Sequence, residues 1–372
     1  MNIALFSPYL SQNYGTVLQA FALSKQIQDL GVSCEYIDWR YYDLTNKGRT
    51  RFFLRHPLYL HYNSKNKSKN KNDLKYDFLK ENEYREVIKK NTLFVEHYTP
   101  VRKGKVLIDD LNNLPYDKFI VGSDQTWSPD ALYQYSPYYL QSVKDSNRKY
   151  SYACSMGKND IPIKFQKFLK KKLKSFNRIS CREEVNCAML RNLLHKEVSC
   201  VVDPTLLLNH EQWKSYMKPV EMPKEYVICY ILGEKKCIRD YAIELGKKNG
   251  LPVYFIATRP CDVPKEQLLT GLGVQEFLWL IDNSSHLVTD SFHGTIFAIN
   301  FGKNMSSFDK HPGAMYDNGR IQGVLSDYHI EDHYLKDDSQ TIPGLINFDE
   351  VNRILQEKRD YSLDYLKDII FN

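Results

Sequence analysis

Thr289-Asp-Ser-Phe-His-Gly-Thr295 sets one titratable ring, His293, between Ser291 and a Gly-Thr pair, where a strand-like run gives way to a helix-period run. Imidazole suits acid-base work near neutral pH, and backbone N–H groups at a helix start attract anions, so the junction predicts a catalytic histidine facing an anionic ligand. The plain alternative is a structural histidine. Ser11-Gln-Asn-Tyr-Gly-Thr16 also enters a helix-period run, and Gly15 would let the chain approach a ligand closely. Capping by Asn13 or Thr16, with Gly as a turn residue, explains the same residues without a ligand. Val121-Gly-Ser-Asp-Gln-Thr-Trp127 follows an apolar strand. Asp124 and Gln125 can grip vicinal hydroxyls while the Trp127 indole covers the apolar face of a sugar ring; an Asx-turn with a core Trp is the alternative. Arg182, in Ser180-Cys-Arg-Glu-Glu184, offers a planar fork suited to a carboxylate, or an ion pair with Glu183. Lys303, Lys310, His311 and Arg320 add positive charge downstream of His293, more than one ligand can use.

These clusters all stand at the ends of expected strands. Asn2–Phe6, a helix through Val17, Leu18, Phe21, Ile27 and Leu30 closed by Gly31, and Val32–Trp39 make a βαβ unit, which binds ligands at the carboxyl edge of its strands. Residues 45–100 are polar and basic and read as an insertion, with a weak helix about Asp73–Lys90. Strands at Lys118–Val121, Lys149–Ala153, Arg178–Cys181 and Val198–Val202, with a Lys-rich amphipathic helix at Ile163–Phe176 and another at Glu183–Leu194, complete a first domain over 1–203. Pro204 cannot donate to a ladder and marks the boundary. Alternation resumes over 204–345: strands at Tyr226–Leu232, Pro252–Ile256, His286–Thr289 and Met305–Phe308, helices at Cys237–Lys248, Gln275–Ile281 and Gly294–Phe301. A terminal helix at Phe348–Ile370, within 346–372, could pack on either domain. The expectation is an α/β protein with two Rossmann-like doubly wound domains facing a cleft, a GT-B-like fold.

At 372 residues, two domains are the expected count. The 27 Tyr suit sugar handling or amphipathic packing. The run Ile3–Phe6 is too short for a signal peptide or a membrane span, so a cytoplasmic protein is expected. The eight Cys show no Cys-x-x-Cys pair and read as buried free thiols, with no metal. Lys65, Lys67, Lys69, Lys71 and Lys75 alternate with Asn and Ser, a solvated loop or a peripheral contact with anionic lipid or a lipid-linked acceptor. No nucleic-acid motif accompanies the charge, and no Gly-rich dinucleotide or Walker fingerprint points to NAD or ATP.

Taken in order, Asn13-Tyr-Gly-Thr16 with Leu18-Gln-Ala20, Gly122-Ser-Asp-Gln-Thr-Trp127, Ser180-Cys-Arg-Glu183, Asp203-Pro-Thr205, Asp290-Ser-Phe-His-Gly294 and Gly319-Arg-Ile321 resemble the polysaccharide pyruvyl transferase family over roughly Met1–Asp332. The resemblance implies phosphoenolpyruvate as donor, no cofactor or metal, and as acceptor a sugar of a bacterial surface glycan or its lipid-linked oligosaccharide precursor, met in the cytoplasm or at the inner membrane face. It implies acid-base catalysis by His293, a donor-carboxylate contact at Arg182, and a donor-phosphate contact at Lys310 or Lys303 aided by Ser291 and the amides of Gly294 and Thr295. Asn13, Gly15, Thr16, Asp124 and Gln125 would then bind the acceptor. More distant cell-wall members look like Arg-Leu-His where this chain has Ser291-Phe-His293, a departure that removes a positive group. The alternatives are a GT-B glycosyltransferase using a nucleotide sugar and a glycan-binding scaffold without chemistry.

Overall fold

A computed structural model describes residues 1–40, 81–129, 137–233, 235–257, 263–308, 319–336, 339 and 341–372. The basic run Lys65–Lys75 and Lys310 lie outside the described residues. In chain order the elements are β1 (Asn2–Phe6), α1 (Tyr14–Asp29), β2 (Ser33–Tyr36), β3 (Trp39–Arg40), α2 (Glu81–Tyr98), β4 (Val106–Leu107), β5 (Lys118–Val121), β6 (Lys149–Ser151), α3 (Ile163–Leu173), β7 (Ser180–Cys181), α4 (Glu184–Leu194) and β8 (Ser199–Cys200). They continue with α5 (His210–Lys214), β9 (Val227–Ile231), α6 (Lys236–Asn249), β10 (Val253–Ala257), β11 (Leu268–Leu269), α7 (Val274–Asn283), β12 (His286–Thr289), α8 (Phe292–Phe301), β13 (Met305–Phe308), α9 (Gly319–Asp327), β14 (Tyr334–Leu335) and α10 (Phe348–Phe371).

The first sheet runs β2-β1-β5-β6 and the second β11-β10-β9-β12-β13-β14, every pair parallel. Parallel sheets are covered on both faces, which is why β9, Val-Ile-Cys-Tyr-Ile, is apolar and buried at every position. Isolated bridges Tyr150↔Arg178 and Cys154↔Cys181 carry the first sheet on to the β7–β8 pair. The expected strand Arg178–Cys181 is cut to Ser180–Cys181 because hydroxyls enter the ladder: Ser180 N donates to Ser151 Oγ at 2.9 Å, and Ala153 N donates to Ser180 Oγ at 3.1 Å. Helices α6 and α8 end on Gly250 and Gly302, each at φ 66°, the left-handed cap that a Cβ disfavours.

Two boundary shifts matter for the site. Helix α1 begins at Tyr14 and α8 at Phe292, so Gly15 and His293 stand in first turns rather than in preceding loops. Helix α2 is described over Glu81–Tyr98, which overlaps the expected Asp73–Lys90 and runs on beyond it, while 73–80 lie outside the described residues. One apolar cluster extends from Ile3 and Phe21 in the first half through Trp213 and Phe277 to Leu366 and Ile370 in α10. The terminal helix packs on both halves: Lys118 Nζ donates to Ile369 O, while Arg359 Nη2 donates to Asn300 Oδ1. Among the described residues no helix is long and apolar enough to cross a membrane.

Candidate active site

His293 is built into a tight junction. Thr289 Oγ1 donates to Tyr230 O at 2.7 Å and accepts from Ser291 N at 3.0 Å, turning the chain out of β12. Asp290 then accepts from Leu232 N at 2.6 Å and Gly233 N at 2.8 Å, tying the exit of β9 to the same edge. Ser291 caps α8, its Oγ accepting from Gly294 N at 3.3 Å, and Thr295 N donates to Ser291 O at 2.9 Å. The expected phosphate contact by the amides of Gly294 and Thr295 is therefore corrected: both serve the helix's own start. Gly294 is needed sterically, since a Cβ there would lie 2.7 Å from Thr289 Oγ1.

The imidazole is packed from the first half of the chain. A Cβ on Gly15 would fall 2.1 Å from both Cγ and Nδ1 of His293, so the α1 backbone touches the ring face. Across from it, His293 Nε2 lies 3.7 Å from Asp203 Oδ2, an ion-pair distance too long for a hydrogen bond. The same Oδ2 accepts from Arg182 Nη1 at 2.7 Å and Ser123 Oγ at 3.0 Å, while Oδ1 accepts from Thr205 N and Oγ1. Arg182 Nε donates to Glu183 Oε1 at 2.9 Å, and Ser155 Oγ donates to that oxygen at 2.6 Å. The ring and the guanidinium thus meet on one carboxylate oxygen between the two sheets. Among the described residues, Arg182 Nη2 and His293 Nε2 are buried polar atoms with no hydrogen-bond partner.

Burial alone would raise the Asp203 pKa, but the His293 imidazole and the Arg182 guanidinium outweigh it and hold the carboxyl well below the usual range. Burial would likewise lower Arg182, yet Glu183, Asp203 and Asp124 together raise it above its ordinary value. One buried cation, Arg182, thus faces two acids, Glu183 and Asp203. Of the two readings of Arg182, the ion pair with Glu183 is present: Nε and Nη1 hold the protein's own acids, and Nη2 is without a hydrogen-bond partner.

Asn13, Asp124, Gln125, Ser291 and His293 line one small cavity of about 50 Å³, together with Arg320. Each of the first three is also held by the protein. Asn13 Oδ1 caps α1 by accepting from Gly15 N at 3.0 Å. Asp124, at φ 69°, accepts from Thr16 Oγ1 at 2.9 Å. With its amide turned to satisfy both groups, Gln125 accepts from Arg320 Nη1 at 3.2 Å and Nη2 at 3.3 Å. Gly15 and Thr16 shape the site from beneath. Trp127 is fully buried with Nε1 donating to Tyr138 O at 2.9 Å, a core residue and not a sugar platform. Lys303 is also corrected: it follows α8 at the end away from His293, 3.9 Å from Asp282, and a ten-residue helix spans about 15 Å.

Beside the small cavity lies a larger one of about 520 Å³, lined by Arg182, Asp203, Phe292, Arg320, Asn159 and Tyr361 among others. Phe292 is the wall between them, with the Arg182 guanidinium 4.2 Å from its ring centroid and that of Arg320 at 5.7 Å. Sequence reasoning placed neither Asp203 nor Arg320 in the site, although Asp203-Pro-Thr205 and Gly319-Arg-Ile321 were both conspicuous motifs. Glu184 and Cys200, which line the larger cavity, and Cys187 bring metal-ligand atoms within 4.8 Å of one another, with Glu184 also paired to Arg191. The seven described cysteines are free.

Among solved structures the chain is similar to UDP-GlcNAc 2-epimerase from Methanocaldococcus jannaschii, at 11% identity and TM-score 0.54, covering 96% of this chain and 92% of that one. It is also similar to UDP-GlcNAc 2-epimerase from Neisseria meningitidis bound to UDP-GlcNAc (11% identity, 96% and 99% covered, TM-score 0.41). A third similar structure is E. coli heptosyltransferase WaaC with ADP (10% identity, 96% and 100% covered, TM-score 0.38). The first of these supports the GT-B-like fold, and at such identity the likeness shows fold alone. No curated protein matches the chain. The family model of polysaccharide pyruvyl transferases matches residues 13–309, from the Asn13 cap to the end of β13, and the chain belongs to that family.

Proposed function

We propose that the protein transfers pyruvate from phosphoenolpyruvate to two hydroxyls of a sugar in a bacterial surface glycan or its lipid-linked precursor, forming a ketal. The observation that carries this reading is the pair of unpartnered buried nitrogens, His293 Nε2 and Arg182 Nη2, on side chains that meet at Asp203 Oδ2. The donor lies at the Phe292 edge. Arg182 Nη2 donates to its carboxylate, and Arg320 supplies the second cation, in the role expected of Lys303 or Lys310. A trianion needs both.

His293 carries the protons. The enol methylene carbon takes a proton and becomes the ketal methyl; one sugar hydroxyl adds to the resulting cationic carbon and loses its proton. Phosphate then leaves with its bridging oxygen, and the second hydroxyl closes the ring. Of the two hydroxyl protons, one replaces that spent on the methyl and the other departs with phosphate. Asp203 Oδ2 faces the edge of the imidazole at 3.7 Å. The acceptor occupies the larger cavity, whose size falls within the roughly 300–1,000 Å³ usual for ligand sites.

The test is phosphate release from phosphoenolpyruvate in the presence of glycan acceptors, alongside calorimetric binding of the donor. His293→Ala is expected to bind phosphoenolpyruvate yet turn over about a hundredfold or more slowly. Binding of uridine or guanosine diphosphate sugars in place of phosphoenolpyruvate would overturn the reading.

A further inference from the structure

Between Ile161 and Arg182 the chain has no Asp or Glu, but Lys164, Lys167, Lys170, Lys171, Lys172, Lys174 and Arg178. Helix α3 sorts these charges. Counting about 100° per residue, Phe165, Leu169 and Leu173 share the face turned to the core, and Ile163, Lys164, Lys167, Lys170, Lys171 and Lys174 fall in a sector of about 120° on the other side. The five lysines of that sector are exposed, and among the described residues none of them stands in an ion pair. Ile163 lies in the same sector and is 71% exposed.

We infer that this face of α3 docks on an anionic bilayer, with the five lysines against the headgroups and Ile163 dipping into the interface. Charge complementarity picks the partner: clustered lysines are drawn to an anionic leaflet, and an apolar side chain within the stripe gains by entering the headgroup region. A nucleic acid would have no use for Ile163. The helix is also well placed. Asn159 lines the larger cavity, and the four residues from there to Ile163 reach at most about 14 Å, so a docked α3 holds part of that cavity's lining within about 14 Å of the residue in the interface. An acceptor on a lipid carrier would meet it there. That last step rests on the proposed function, whereas docking itself needs neither donor nor acceptor.

The experiment is co-sedimentation of the full chain with vesicles of phosphatidylcholine alone or with added phosphatidylglycerol, at low and high salt. The wild type is expected to pellet with the anionic vesicles, to be released by salt, and not to pellet with phosphatidylcholine. Combined Lys164→Glu, Lys167→Glu and Lys171→Glu should weaken vesicle binding at least tenfold with the circular dichroism spectrum and phosphoenolpyruvate binding unchanged. Ile163→Asp should weaken it less. Combined Lys65→Glu, Lys67→Glu and Lys69→Glu should leave it intact. No pelleting of the wild type, an unaltered triple α3 variant, loss confined to the Lys65 series, or tighter binding of a polyuridine RNA than of the vesicles overturns the proposal.

Discussion

Gly15 and His293 lie far apart in the chain, yet the backbone of one fixes the ring of the other. A methyl group at position 15 would sit 2.1 Å from the ring, and the imidazole cannot yield like the tip of a long side chain, because α8 holds its Cβ and Asp203 faces its far edge. Gly15→Ala is therefore expected to swing the ring away from Asp203 and reduce turnover by about the hundredfold that a positioned acid-base group is worth. Gly344→Ala, where nothing stands within 4 Å and neither cavity is near, is the control and should keep wild-type phosphate release. Wild-type turnover in Gly15→Ala would show that the imidazole position does not matter. The sequence made Gly15 legible as a place of close approach but not what approaches it. His293 was legible because a strand-to-helix junction is a local pattern. The ion pair of Arg182 with Glu183 was legible as a contact of chain neighbours while its bond to Asp203 was not, since that depends on β7 and β8 lying side by side.

Elements with their own periodicity were legible almost to the residue: His286–Thr289 and Met305–Phe308 fall where the apolar runs put them, and α6 stops at the glycine that predicts its end. What remained open was the partner of α10, because an amphipathic stripe does not say which surface it covers. The structure answers with Arg359, whose Nε donates to Leu206 O at 2.6 Å and Nη2 to Asn300 Oδ1 at 3.0 Å, clamping the segment after Asp203 against α8. Removing that side chain strands two buried acceptors, so Arg359→Ala should destabilise the protein by about 2–3 kcal/mol in urea unfolding. Lys358→Ala, losing a half-exposed pair with Asp327, should cost less than about 1 kcal/mol. Equal losses in the two variants would mean that Arg359 is no clamp.

At the scale of the molecule, Asp203 is where the two sheets meet. It accepts from Ser123 after β5 and from Arg182 after β7, and it faces His293 from the second sheet. Its pKa is depressed on folding, so it stabilises the fold above the unfolded carboxyl value of about 3.9 and loses that contribution as pH falls below it toward the lower folded value. Asp203→Asn has no such contribution at any pH. The melting temperature of the wild type should therefore exceed that of Asp203→Asn most near neutrality, and the gap should narrow steadily below about pH 4. A melting gap that stays constant down to the most acid pH at which the protein folds would mean that the Asp203 charge does not join the two halves, and the shared carboxylate on which the proposed site depends would have to be abandoned.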